Sequence, residues 1–423
     1  MPIKYVMPDW DDYLDTGFDF QTDTFSEPVG GVPQRSYLHE IMGDQTPYDG
    51  ILVSLNQIDK KKGALKKYGL AGSDKTIREL MRVPQRIQII GDCGAFSYKD
   101  RLEPSIDPIT AAKLYNDYEF DMGASVDHMI VDEVVVINSD GKEEKRALSD
   151  AEKEARVTLT LENAKAFIEE VRKKNYKFTP LGSIQARTPK EYAEVFDKFI
   201  NMGYRQVALG SLIPKDDATI REIITEVGAK YRALPDKIRK DVGIHLFGIL
   251  RPALFSIYAE NGVASFDSAS YFRKAWLKSD KNYLGNNGNW YAAIRVPQSA
   301  LSRNKNALIK KNYDLKEVAE LEDRVLKSLD SFKADSDIDT ILDDVIEYDS
   351  YFERISDGGE KLREAYKRVL TDRPWEKCQC EICKSIGIHV LIFRGYNRNK
   401  RRGFHNTYIF YHRYNGGIEY EHE

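Results

Sequence analysis

Three thiols crowd into six residues near the end of the chain, Cys378-Gln379-Cys380-Glu381-Ile382-Cys383, and the whole 423-residue sequence holds only four cysteines. Cysteines so few and so tightly grouped make a poor disulfide framework and a good metal site. A fourth ligand has to arrive from further along the chain. His405 and His412 are the candidates, and His389 is a weaker one. Three Cys and one His form a closed tetrahedral site for structural zinc, which stabilises a fold and does no chemistry itself. Free buried thiols are the alternative, although C-x-C-x-x-C packing rarely arises by accident.

A second set of residues could do chemistry. Asp92, Asp127 and Asp267 each close a short apolar or β-branched run, in Ile90-Gly91-Asp92, Ser125-Val126-Asp127 and Ser265-Phe266-Asp267, and Gln185 closes another. Any one such Asp is most simply a helix N-cap after its strand. Three in one mouth would repel each other unless a substrate or cation uses them, which points to nucleophilic, acid–base and recognition roles. A third set interleaves Arg394, Arg398, Lys400, Arg401, Arg402 and Arg413 with Phe393, Tyr396, Phe404, Tyr408, Phe410 and Tyr411. Cations mixed with aromatics suit a phosphate backbone and unstacked bases. A solvated face beside the metal site is the plainer alternative. The formal net charge is −4, so any affinity for a polyanion must come from a local patch such as this one.

Strand-end carboxylates can meet only if the strands run parallel with their C-terminal ends together. A (β/α)8 TIM barrel does this. The chain supplies the required count of runs: Ile3–Met7, Gly50–Leu55, Ile87–Gly91, Asp121–Asp127, Phe178–Gln185, Gln206–Gly210, Ile244–Leu250 and Val263–Asp267. Amphipathic stretches lie between most of them, at Ser73–Met81, Pro108–Tyr118, Leu161–Lys174, Lys190–Met202 and Ala218–Tyr231. The hydrophilic segment Asn138–Glu154, with its turn signal Ser139-Asp140-Gly141, reads as a surface insertion. After Asp267 the alternation stops, and Asp314–Leu370 is charged with a helical period. The expected organisation is α/β: a catalytic barrel over 1–313, then a helical, zinc-binding, basic subdomain over 314–423. With 42% hydrophobic residues the chain can bury a large core. No run nears the roughly 18 apolar residues that cross a bilayer. Met1-Pro2-Ile3-Lys4 runs into Asp9, Asp11 and Asp12, unlike a signal peptide. A soluble cytoplasmic protein is therefore expected.

Read together and in order, these pieces resemble the tRNA-guanine transglycosylase family. Gly91-Asp92-Cys93-Gly94-Ala95-Phe96 is similar to its D-S-G-G-[FY] motif, Leu181-Gly182-Ser183-Ile184-Gln185 to F-G-I-x-Q, and Ala208-Leu209-Gly210-Ser211-Leu212 to A-V-G-G-L. His245-Leu246-Phe247-Gly248-Ile249-Leu250-Arg251-Pro252 resembles H-L-x-G-x-G-R-P, and Ser265-Phe266-Asp267-Ser268 the segment carrying the nucleophile. The family's last zinc ligand is a His directly before Asn, so the resemblance favours His405 of His405-Asn406 over His412. It also implies roles. Asp267 would attack the anomeric carbon and expel guanine, leaving a glycosyl–aspartate that the incoming base displaces with retention. Asp92 would handle the base proton. Asp127 and Gln185 would hydrogen-bond the guanine-like edge, helped by backbone amides near Gly210.

Leu250, Ser211 and Ala95 stand where the family has glycine, which reshapes the base pocket. Met7–Asp12 and Phe393–Asn406 are unlike the tRNA enzymes and resemble the DNA-modifying, DpdA-type branch of bacterial and phage modification clusters. The resemblance therefore implies DNA as polymer and a 7-deazaguanine base, such as 7-cyano-7-deazaguanine, as second substrate. A stacked deoxyguanosine hides its anomeric carbon, so its nucleotide must be flipped out, with the basic–aromatic run contacting phosphates. DNA-opening accessory proteins and a homodimer are further expectations. A tRNA transglycosylase of queuosine or archaeosine type, a non-catalytic nucleic-acid-binding paralogue, and a hydrolase releasing guanine are the competing readings.

Overall fold

The computed structural model describes residues 3–8, 12–29, 34–58, 75–138, 140–277, 280–352 and 359–416. Of the stretches singled out above, Asp9–Asp11, Ser73, Asp74 and Ser139 lie outside them. Eight parallel strands close into a barrel: β1 Lys4–Pro8, β2 Gly50–Ser54, β3 Gln88–Asp92, β4 Met122–Ala124, β5 Thr179–Ile184, β6 Gln206–Leu209, β7 Gly243–Leu246 and β8 Val263–Asp267. Each strand pairs with its sequence neighbours, and β1 closes the ring against β8, with Val6 opposite Asp267. Every expected run contributes one strand, so the sequence-based barrel is the observed fold.

The barrel closes because its strands read apolar on both faces, as parallel strands covered by helices do. Val6, Leu52, Ile90, Ala124, Leu181 and Ala208 form one buried layer inside. Outside, helix α1 (Pro108–Asp117) is started by the Asp107 side chain, which accepts from the Thr110 amide 2.9 Å away, with Pro108 in its first turn. Its Tyr115 lies flat across β3 and β4. A Cβ on Gly91 would sit 2.1 Å from that ring, so this strand position admits only glycine. Helix α2 (Pro189–Met202) is capped by Thr188 and ends at Gly203 in the left-handed region, φ 99°. It buries Tyr192, Val195, Phe196, Phe199 and Ile200 in one stripe. At about 1.5–3 kcal/mol per large apolar side chain, that stripe outweighs helix propensity, and Phe199→Ala would cost about 3–5 kcal/mol.

The surface insertion differs from the sequence-based expectation. It is an antiparallel hairpin of Glu133–Ile137 with Glu143–Ala147, and residues 150–154 already belong to the helix Asp150–Lys174. Ser149 starts that helix with a capping box to Glu152, a signal that the hydrophilicity of the segment masked. The chain falls into two compact units. Met1–Asp11 and Tyr48–Ala269 cluster as one compact unit, and Asp12–Pro47 and Ser270–Ile418 as another. The second unit thus begins directly after β8 and recruits a segment from the first tenth of the sequence. Its helices include Leu315–Asp330, Ile338–Ser350, Gly359–Asp372 and Gly395–Asn415, matching the helical period read over 314–370. Among the described residues, no helix is long and apolar enough to cross a membrane.

Candidate functional site

All the chemistry-bearing residues of the barrel sit at, or just beyond, the C-terminal ends of its strands. Asp267 is the last residue of β8 and is buried. Its Oδ1 accepts from the Gly248 amide at 2.9 Å and lies 3.1 Å from Nε2 of His245, on neighbouring β7. A carboxylate only accepts, so His245 presents Nε2–H here. Its Nδ1 lies 2.8 Å from the Ser265 hydroxyl, which donates to it. Among the described residues no hydrogen bond reaches Oδ2. One oxygen is anchored and the other is not. Gly248 can place its amide so because it adopts φ +72° in the turn after β7.

Asp92 ends β3 half-buried, with Oδ2 accepting from the Gly94 amide at 3.1 Å. Its pKa is pushed up to about 7, first by burial and then by the neighbouring charges of Asp127 and Asp267. A carboxyl poised near neutrality can both give and take a proton. Asp127, beyond β4, is buried and carries hydrogen bonds on both oxygens. The Cys93 thiol donates to Oδ1 at 3.0 Å, and the Gln185 amide nitrogen donates to Oδ2. The Tyr98 hydroxyl donates to the Asp127 carbonyl at 3.0 Å. Burial raises the proton affinity of Asp127, and the Cys93 and Gln185 contacts oppose the rise. The Ser211 hydroxyl in turn donates to Oε1 of Gln185 at 2.6 Å.

Gly210 stands beside them, yet its amide is spent on the Ile184 carbonyl (2.9 Å) and its carbonyl on the Tyr192 hydroxyl (2.6 Å). What Gly210 contributes is room: a Cβ there would fall 2.2 Å from Nε2 of Gln185. Asp92, Asp127 and Gln185 are therefore brought together as the strand ends imply, and the charge on Asp267 is felt at Asp92. Sequence reasoning gave no role to Cys93 or His245, and saw in Ser211 only a change in pocket shape. All three lay inside the motifs quoted above, so a signal existed, but only geometry shows what each one touches.

The second unit holds the thiol cluster. Cys378, Cys380, Cys383 and His405 are buried, with ligand atoms all within 4.8 Å of one another. Nδ1 of His405 lies 3.5, 3.5 and 3.3 Å from the three sulfurs. Metal–sulfur and metal–nitrogen bonds of about 2.3 and 2.0–2.1 Å at the tetrahedral angle put S and N about 3.5 Å apart. The residues thus fit one small divalent ion. Nε2 of His405 donates to the Leu284 carbonyl at 2.7 Å, which fixes the tautomer that leaves Nδ1 to ligate. Asn406 braces the same stretch of chain, accepting from the Leu284 amide and donating to the Asn282 carbonyl. His412 and His389 are not in the cluster, and His389 bonds Asp330 instead.

The basic run corrects an expectation. Arg394, Arg398, Arg401 and Arg402 are buried in the second unit, not displayed to solvent. Arg394 and Arg398 both pair with Asp23, and Arg394 also pairs with Glu322 at 2.7 Å. Arg401 donates to the Asp15 carbonyl, and Arg402 to the carbonyls of Ala275, Val390 and Ile392. Lys400 pairs with Asp12 at 3.0 Å. The run starts at the N-cap of the helix Gly395–Asn415, and the segment 12–29 supplies carbonyls and carboxylates that a polyanion would have to displace. These cations hold the unit together.

A closed parallel barrel with one anchored carboxylate and a second carboxyl poised near neutrality, both at its C-terminal mouth, is an arrangement that suits carboxylate-pair chemistry. Over 419 residues the chain is 34% identical to a DNA-guanine transglycosylase of Salmonella montevideo, covering 97% of this chain and 96% of that relative. The chain belongs to the guanine transglycosylase family and is a glycosyltransferase. No family model matches it.

Proposed function

We propose that this enzyme exchanges guanine in DNA for a 7-deazaguanine base, such as 7-cyano-7-deazaguanine, through a covalent glycosyl–aspartate on Asp267. The observation that carries the reading is the asymmetric anchoring of Asp267. His245 and the Gly248 amide hold Oδ1, which leaves Oδ2 to attack the anomeric carbon. As the glycosidic bond breaks, the carboxyl of Asp92 gives its proton to the departing guanine. The incoming base returns a proton to Asp92 and takes the sugar from Asp267, with net retention. Asp127 offers its remaining lone pairs to the adjacent N–H donors of a guanine-type edge. DNA as the polymer is supported by the relative's name and its near full-length coverage. The target nucleotide has to leave the helix stack to reach the barrel mouth.

The Cys378, Cys380, Cys383 and His405 set would hold zinc, which supplies folding energy to the second unit and takes no part in the exchange.

The test is base exchange. Guanine-labelled duplex DNA, single-stranded DNA and tRNA are incubated with enzyme and 7-cyano-7-deazaguanine, with Asp267→Ala beside the wild type. Label released from DNA by the wild type alone supports the reading. Release from tRNA alone moves the activity to that polymer and keeps the mechanism. Release from none overturns it.

A further inference from the structure

We propose that Ser211 is a specificity-determining residue: it fixes which end of the Gln185 amide faces the base, and so makes the pocket select a 6-oxo base over a 6-amino one. The inference rests on the reading of this mouth as a guanine-type base site. Its basis is a chain of hydrogen bonds with one direction. The Ile130 amide can only donate, and it donates to Oγ of Ser211 at 3.0 Å. That leaves the Ser211 proton for Oε1 of Gln185, 2.6 Å away. With Oε1 thus accepting, Nε2 turns toward Asp127 and donates to Oδ2. Cys93 donates to the other oxygen of Asp127 at 3.0 Å. Every member of the chain is buried, so no water competes for these groups.

The polarity matters because a side-chain amide is pseudo-symmetric. Flipped, Gln185 would present a carbonyl where it now presents N–H donors. Nε2 carries two protons, and only one is spent on Asp127. The second suits a carbonyl acceptor at the 6-position of a base whose N1–H and 2-amino group meet Asp127. A 6-amino base offers a donor there and would need the flipped amide. Asp127 opposes that flip, and Ser211 adds to the opposition because its buried proton would lose its acceptor Oε1. The residue holds a left-handed backbone, φ 54°, which serine adopts reluctantly. The strained position is nonetheless given to a hydroxyl that meets Gln185.

The experiment compares wild type, Ser211→Gly and Ser211→Ala. The glycine variant relieves the left-handed backbone and should fold, while the alanine variant keeps the Cβ. Steady-state exchange is measured with 7-deazaguanine and with its 6-amino counterpart as incoming bases. In both variants KM for the 6-oxo base should rise about five- to tenfold while kcat changes less than twofold, as befits the loss of one neutral hydrogen bond. The preference for 6-oxo over 6-amino base should fall by about tenfold, and Ser211→Cys, a weaker donor, should recover part of it. A merely structural serine would alter stability without moving that preference. Unchanged KM and unchanged preference in both variants overturn the proposal. Calorimetric binding of free guanine separates the two levels of inference. If wild type binds guanine and the variants bind it about fivefold more weakly, Ser211 acts as proposed even where exchange fails. If wild type binds none, the base-site reading falls and this inference with it.

Discussion

The barrel mouth and the second unit both bury charge, and they satisfy it in opposite ways. In the second unit every buried guanidinium named above meets a carboxylate or a carbonyl of its own unit: Arg394 and Arg398 meet Asp23, and Arg402 meets three carbonyls. In the mouth, Asp127 and Asp267 are served by neutral donors, a thiol, an amide side chain, an imidazole and a backbone N–H. Asp92 feels both neighbours as repulsion. A network of paired cations is finished when the chain folds. A mouth of carboxylates held by neutral groups keeps unspent electrostatic energy, which a substrate bringing N–H donors and an electrophilic carbon can use.

That contrast predicts where damage falls. The largest effect should follow loss of the metal ligands. Cys380→Ser, or chelation of the native enzyme, removes a site whose apparent binding energy is about 10–16 kcal/mol in small zinc domains. The second unit should lose its cooperative melting transition, and the preparation should lose one equivalent of zinc by elemental analysis. Wild-type melting after complete metal removal would sink the structural assignment.

Next comes Asp267, the proposed nucleophile. Asp267→Ala should lower the exchange rate by at least about 10⁴-fold. Its melting temperature should change little, because the removed burial of a charge offsets the loss of the hydrogen bonds from His245 and the Gly248 amide. The wild type, denatured during turnover, should show a mass increment on the peptide containing Asp267. An increment on another residue would reassign the nucleophile.

Arg394→Ala tests the paired side. It leaves Asp23 and Glu322 short of a partner and should cost about 3–5 kcal/mol of stability. The salt dependence of DNA affinity should stay as it was. A shallower salt dependence, by about one unit of slope, with unchanged melting would return this run to the surface and restore its phosphate-binding role.

The sequence made the barrel legible because period and composition decide strands locally. All eight runs were visible, and Asp92 and Asp267 end their strands in the structure as they do in the sequence. The ligand set at Cys378, Cys380 and Cys383 was visible for the same reason, since three of its members are near neighbours. The misread run 394–402 shows the limit. Whether an arginine faces water depends on what packs over it, and here the cover is the segment 12–29, nearly four hundred residues away in sequence. The same holds for Ser211 and Cys93. Each was noted by its place in a motif, but the donor–acceptor order that gives it meaning passes between strands β3 to β6 and their loops, and no local pattern encodes it.

The smallest expected effect is also the most specific to the mouth. Asp92 has a folded pKa of about 7, above its ordinary value near 4, so the folded state binds that proton more tightly than the unfolded chain. The group therefore favours the folded state most at low pH, and this contribution fades as pH rises from about 4 through about 7. In catalysis the same titration should appear as a bend near pH 7 in the exchange rate, which Asp92→Asn flattens. The apparent value belongs to the interacting carboxylates jointly. Burial is the larger cause and will survive any single substitution nearby. The charge of Asp127 is the next, and Asp127→Asn removes it, so the bend should move to lower pH without vanishing. Initial rates across pH 5 to 9 for the three enzymes decide the matter. A bend that stays in place in Asp127→Asn would mean that Asp92 does not sense Asp127, and the mouth would then hold separate carboxylates rather than one coupled set.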